Sequence, residues 1–156
     1  MTSQQISIAH DDTRCRARRH ARAQHLVVAD ETTLVDVELL LATLPLCASG
    51  RVFLEVPDAS WIGRISAPPR MTVTWLDRSA RRGAPGTSAL CKRGVAITRA
   101  AIAYADEMLC DESASATHVT LLGGYLATAD IVEHLTGEIG IDRSAITVRD
   151  ALAAYV

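Results

Sequence analysis

The stretch that most narrows the fold is residues 25–33, His-Leu-Val-Val-Ala-Asp-Glu-Thr-Thr. A short apolar run passes directly into two carboxylates and two threonines, and the residues beyond take up a helical period. This reads as a buried strand turning sharply into a helix. In an open α/β sheet, ligands gather at such junctions, outside the carboxyl ends of the strands.

The same junction limits the ligand. A turn that wraps a pyrophosphate needs glycines and a helix start free to face negative charge. Asp30 and Glu31 bring negative charge of their own, which the helix dipole already stabilises, so a phosphate held tightly here would be repelled. Two readings fit these residues. In one, Asp30 with Thr32 or Thr33 caps the helix and Asp36 reaches back as in a capping box. In the other, the same residues also touch a ligand that is uncharged at this point.

A chain of 156 residues, 49% of them hydrophobic, suits one α/β domain with a real core. Acidic residues outnumber basic ones by 18 to 16, so no overall field recruits nucleic acid or an acidic membrane. Cys15, Cys47, Cys91 and Cys110 are widely spaced, without a C-x-x-C or a metal-ligand pattern. They read as reduced thiols of a cytoplasmic protein, and Cys91 and Cys110 as small hydrophobes in or beside a helix. Charges, prolines or glycines interrupt every apolar run short of membrane-spanning length, so a soluble protein is expected.

Residues 1–24 form a basic arm rich in arginine, with a short helix from Asp11 to Gln24 as the local expectation. It lacks the aromatics that stack on bases, so a solvated arm is preferred to nucleic-acid binding. Residues 25–156 form the domain. Leu26 to Ala29 reads as a central strand, covered on both faces. The next helix carries Leu34, Val37, Leu41 and Leu44 on one stripe and stops at Pro45. Gly50 opens a second strand, Arg51 to Val56, giving a parallel unit with a right-handed crossover.

A third strand, Met71 to Leu76, alternates polar and apolar residues as on a sheet edge, with Trp75 in core or interface packing rather than on a stacking platform. Asp77 to Ser88 is a loose basic loop, either a solvated connector or an arginine cluster gripping a phosphate. Ala89 to Leu109 reads as one long helix with Gly94 a weak point inside it. After a polar loop, His118 to Leu122 is a fourth strand ending at Gly123-Gly124, two glycines that allow positive φ and close approach by a ligand or another backbone. A helix near Leu126 to Thr136, with Ile131 and Leu135 inward, precedes a last strand at Ala145 to Val148.

Several chemistries lack their signatures. No G-x-S-x-G elbow, P-loop or G-x-G-x-x-G fingerprint is present, and the five histidines are scattered.

Taken in order, residues 26–37 (LVVADETTLVDV), 50–58 (GRVFLEVPD), 73–78 (VTWLDR) and 138–148 (EIGIDRSAITV) resemble the carboxyl-terminal domain of siderophore-interacting proteins. These are flavin-dependent ferric-siderophore reductases of the ferredoxin reductase superfamily. The resemblance implies a three-layer Rossmann-like α/β fold, with a five-stranded parallel sheet of order 3-2-1-4-5 that binds NAD(P)H. By resemblance, Asp30, Glu31, Thr32 and Thr33 lie near the nicotinamide and Arg78 at the adenosine phosphate end. Gly123 and Gly124 allow close passage of the cofactor.

The chain departs from the family in having Gly123-Gly124 where Gly-Glu is usual, and Arg149-Asp150-Ala151-Leu152 in place of a Gly-Tyr-Trp-Arg segment. Residues 1–24 are too few for the flavin barrel, so FAD is not expected on this chain alone. The function expected is ferric-siderophore reduction for iron acquisition, with NAD(P)H bound here and flavin on a partner. The alternative is a non-catalytic interaction or regulatory module that kept the fold and lost the cofactor. A sheet face left by the missing barrel would favour a homodimer or heteromer, the tail from Ala151 to Tyr155 covering part of the gap.

Overall fold

The computed structural model describes residues 23–83, 86, 88–109 and 117–149. The expectations for the arm up to residue 22, for Cys15 and Cys110, and for the tail beyond residue 149 lie outside them. Five strands, β1 (Gln24–Asp30), β2 (Ser49–Val56), β3 (Arg70–Asp77), β4 (Thr117–Leu121) and β5 (Ile146–Val148), form one sheet in the order β3-β2-β1-β4-β5. Every neighbouring pair is parallel. Three helices connect them: α1 (Leu34–Thr43), α2 (Val95–Met108) and α3 (Tyr125–Gly137). This is the three-layer α/β architecture and strand order expected.

The two faces of the sheet follow from the alternation of side chains along each strand. Val27 and Ala29 of β1, Val52 and Leu54 of β2 and Met71 of β3 pack with Val37 and Leu41 of α1. Leu26, Val28, Phe53, Leu76, Val119 and Leu121 pack on the other face, against Ile97, Ala101 and Ala105 of α2 and Ile131 and Leu135 of α3. Central β1 is buried from Leu26 to Asp30, as its continuous apolar run requires. Edge strand β3 alternates because only one of its faces is well covered, and Trp75 is partly buried against the α1 side.

The entry to β2 depends on Gly50. Its φ is +142°, and a Cβ there would lie 1.8 Å from the carbonyl oxygen of His25 on β1. Only a residue without a side chain lets the two strands approach.

Several boundaries differ from expectation, each for a physical reason. Gln24 opens β1 rather than closing a helix. The helix foreseen from Ala89 begins at Val95, with Gly94 as its N-cap rather than an interior weak point. The residues before it instead fold back on the loop after β3, where Arg82 bridges Leu90 and the Cys91 amide donates to the Arg81 carbonyl. Cys91 is buried, as foreseen. Gly123 and Gly124 do not adopt positive φ: Gly124 is extended, at φ −68°. Among the described residues, no helix is long and apolar enough to cross a membrane.

Candidate functional site

The sheet order reverses direction between β1 and β4, and there the ends of the two strands part to leave a crevice. A cleft of about 270 Å³ opens at this point, lined in part by Asp30, Glu55, Arg93, Gly94, Gly124 and Tyr125.

Register explains why two carboxylates meet here. Asp30 is the partner of Glu55 across β1 and β2, and both continue the face that carries Val28 and Phe53 toward α2. Asp30 is 2% exposed and Glu55 fully buried, so each needs a complete set of donors. For Asp30, Oδ1 accepts the amide of Thr32 at 3.0 Å and its hydroxyl at 2.6 Å, while Oδ2 accepts Arg93 Nη2 at 2.8 Å. Burial works against its charged form, but the bonds from Thr32 and Arg93 outweigh it and hold the pKa below the ordinary value.

Glu55 meets a different set of donors. Its Oε2 accepts the Gly94 amide at 2.7 Å and Arg78 Nη1 at 3.3 Å, and its Oε1 accepts the amides of Ala96 and Ile97 at 3.2 Å. A helix start has unpaired amides and a partial positive charge, and here a side chain from β2 supplies the anion that satisfies both. Gly94 makes the approach possible through a φ of +88°, which turns its amide inward.

Glu31 completes the cluster. Arg78 binds it in a two-pronged arrangement, Nη1 to Oε2 and Nη2 to Oε1, both at 2.9 Å. That pair holds the Glu31 carboxyl below the usual range, since the Arg78 bonds outweigh burial. Glu31 and, more weakly, Glu55 stabilise the Arg78 charge, and Asp30 does the same for Arg93. Arg93 Nε also lies 3.8 Å from Glu31 Oε1. Three carboxylates thus face two guanidiniums, and the cluster keeps a net negative charge.

Of the residues singled out from sequence, Asp30, Glu31, Thr32, Arg78 and Gly124 are brought together at the strand ends. Thr33 is buried as the N-cap of α1, its hydroxyl 3.3 Å from the Asp30 carbonyl, and Gly123 is buried behind Gly124. The expected capping box does not form, because Thr33 makes no side-chain cap bond and Asp36 stays exposed. Arg78 does not stand free at its strand end, because Glu31 and Glu55 occupy its guanidinium.

The residues that reasoning from sequence missed are Glu55, Arg93 and the capping role of Gly94. Glu55 had a signal, a lone carboxylate in the otherwise apolar run Val52 to Val56. Arg93 had only its place beside a glycine. Chemically, the arrangement is built to hold and orient. The carboxylates of Asp30 and Glu31 stay ionised at neutral pH, and among the described residues no imidazole or thiol lines the cleft to move a proton.

At the C-terminal edge, the helix starts differ. The first turn of α2 is closed by Glu55, whereas α3 begins at Gly124 with no side-chain cap, on the rim of the cleft.

Comparison with known proteins gives a consistent result. The model of the siderophore-interacting protein family matches residues 22–150. A siderophore utilization protein from T. fusca superposes with a TM-score of 0.56 at 27% identity, over 85% of this chain and 45% of that one. The siderophore-interacting protein SipS from Aeromonas hydrophila superposes with the same score at 19% identity, over 83% and 45%. A siderophore-interacting protein from Acinetobacter baumannii gives 0.54 at 8% identity, over 85% and 46%. At those identities the last two share the fold. The chain spans about half the length of these solved proteins, and no curated protein matches it. With the family pattern running through the whole sheet and the strand-end cluster, the chain belongs to the siderophore-interacting protein family.

Proposed function

We propose that the chain serves siderophore-linked iron handling by holding NAD(P)H in the cleft between β1 and β4, for use by a flavin on a partner protein. The observation that carries this reading is the contrast between the two helix starts. Glu55 supplies the anion for α2, while α3 opens onto the cleft without a side-chain cap. An uncapped helix start at a switch point suits the pyrophosphate of a dinucleotide.

The residues present fit such a group. Gly124 leaves steric room at the start of α3, where a Cβ would meet nothing nearer than Asp30 Oδ2 at 3.9 Å, an oxygen that Arg93 pairs with at 2.8 Å. Asp30 and Thr32 form a polar, negatively charged bend that suits an uncharged carboxamide and not a phosphate. Arg93, roughly half exposed, would hold the charged middle of the molecule. When bound, the dinucleotide supplies a hydride, and this chain's part is to fix its position.

Calorimetric titration with NADPH and NADH tests the reading. Saturable binding to one site, weakened in Arg93→Ala, is expected, and an absence of saturable binding with both nucleotides would defeat it. The second reading, a non-catalytic interaction or regulatory module, draws on the internal pairing of Arg78 and Arg93, which commits both guanidiniums to the chain's own carboxylates.

A further inference from the structure

The helix α1 is apolar on two sides. Its inner stripe, Val37 and Leu41, packs on the sheet, yet Val35 and Leu39 on the outer side are 68% and 64% exposed. With exposed Ala42 they recur at steps of four and three residues along the helix, and Leu46, beyond Pro45, is 79% exposed. That is the spacing of a seam that packs against another helix. Beside this ridge runs a groove of about 460 Å³, whose apolar walls include Leu44, Leu46 and Pro68. Glu38 and Arg64 also line it, and neither forms an ion pair with any described residue.

We propose that the outer face of α1 is a two-fold interface between two copies of this chain, in which Glu38 of each copy meets Arg64 of the other. Charge chooses the occupant. One groove carrying an unpaired acid and an unpaired base is complementary to itself, and a two-fold axis places each group opposite its counterpart while the apolar ridges meet. A partner of single sign would leave one of the two charges unmatched. The face lies on the α1 side of the sheet, so dimer formation leaves the α2 and α3 side free.

The test is the dissociation constant of the full chain, by analytical ultracentrifugation, with circular dichroism as a check on folding. A dimer is expected for the unaltered chain, and Leu39→Glu, a change at an exposed position, makes it a monomer. Glu38→Arg and Arg64→Glu each weaken the dimer by about tenfold or more, and the double exchange restores it. A monomer at every concentration would overturn the proposal. So would a dimer indifferent to Leu39→Glu, or single charge changes without effect on the dissociation constant.

Discussion

Glu55, fully buried on β2, accepts the backbone amide of Gly94 at 2.7 Å, 39 residues farther along the chain. Through this bond and those to Ala96 and Ile97, a strand end and a helix start become one unit beneath the cleft. Glu55 does for α2 what an external anion would do, whereas α3, which starts on the rim of the cleft, has no side-chain cap.

Glu55→Ala removes an acceptor of four bonds and leaves buried amides and part of the Arg78 charge without a partner. It is expected to cost about 3–5 kcal/mol, as when one member of a buried charged network is deleted. Glu55→Gln keeps an acceptor but turns an NH₂ group toward donors, and a smaller loss of roughly 1–3 kcal/mol is expected. Urea denaturation measures both. Equal, near-zero losses would show that the cap contributes little.

Gly50 and Gly94 both have positive φ but differ in their surroundings. A Cβ at Gly50 would strike the His25 carbonyl at 1.8 Å, whereas one at Gly94 meets only the Ala127 side chain at 3.3 Å. Gly94→Ala is therefore expected to fold with a loss of about 1–2 kcal/mol. Gly50→Ala should lose the β1–β2 register and fail to give a native circular dichroism spectrum. A stable, native Gly50→Ala protein would contradict the register described.

Arg78 and Arg93 should not be equivalent. Arg78 is bound in a fork by Glu31, with both side chains 14% exposed, and Arg78→Ala is expected to cost about 2–3 kcal/mol. Arg93 is 48% exposed, and its loss should cost about 1 kcal/mol or less. In Arg78→Ala the Glu31 carboxyl should titrate at higher pH, a change readable by NMR. For Asp30 and Glu31, whose folded pKa values are depressed, the stabilisation is present above the ordinary carboxyl range and is lost as pH falls through the folded values.

At the opposite end of the strands, His25 stacks on His118 with ring centroids 5.3 Å apart, and its buried Nε2 has no hydrogen-bond partner among the described residues. Burial, with the neighbouring His118, lowers the His25 pKa from 6.5 to about 4. The unfolded chain thus takes up a proton that the folded one refuses, and stability falls as pH drops from about 6.5 toward 4. The loss should be of order 1–2 kcal/mol, since the ring is not wholly removed from water. His25→Leu should abolish this slope in denaturation curves taken across that range, and a wild-type curve flat from about pH 6.5 to 5 would contradict a neutral, half-buried His25.

The sheet was legible because its signals are local. The valine-rich run at Leu26 to Ala29 announces a central strand, the alternation at Met71 to Leu76 an edge, and Pro45 the end of α1. The strand order came from resemblance rather than from periodicity. The start of α2 was misread because Ala89 to Arg93 has no strong breaker before Gly94, and a glycine within helix-forming residues looks like a flaw until its φ is known. Glu55 and Arg93 escaped notice because their partners are distant in sequence. Glu55 bonds amides 39 to 42 residues on, and Arg93 reaches back to Asp30. Arg78 was singled out by its place after β3, but its fork with Glu31 was not foreseen, since that pairing depends on how the ends of β1 and β3 lie in space.

Whether the cleft between β1 and β4 holds a nicotinamide dinucleotide is tested most directly by following backbone amide NMR signals as NADPH is added. Saturable shifts centred on Gly124, Tyr125, Leu126 and Thr32 are predicted, with α1 unmoved. Signals that stay in place up to millimolar nucleotide, or shifts confined to residues away from the strand ends, would contradict dinucleotide binding at this cleft.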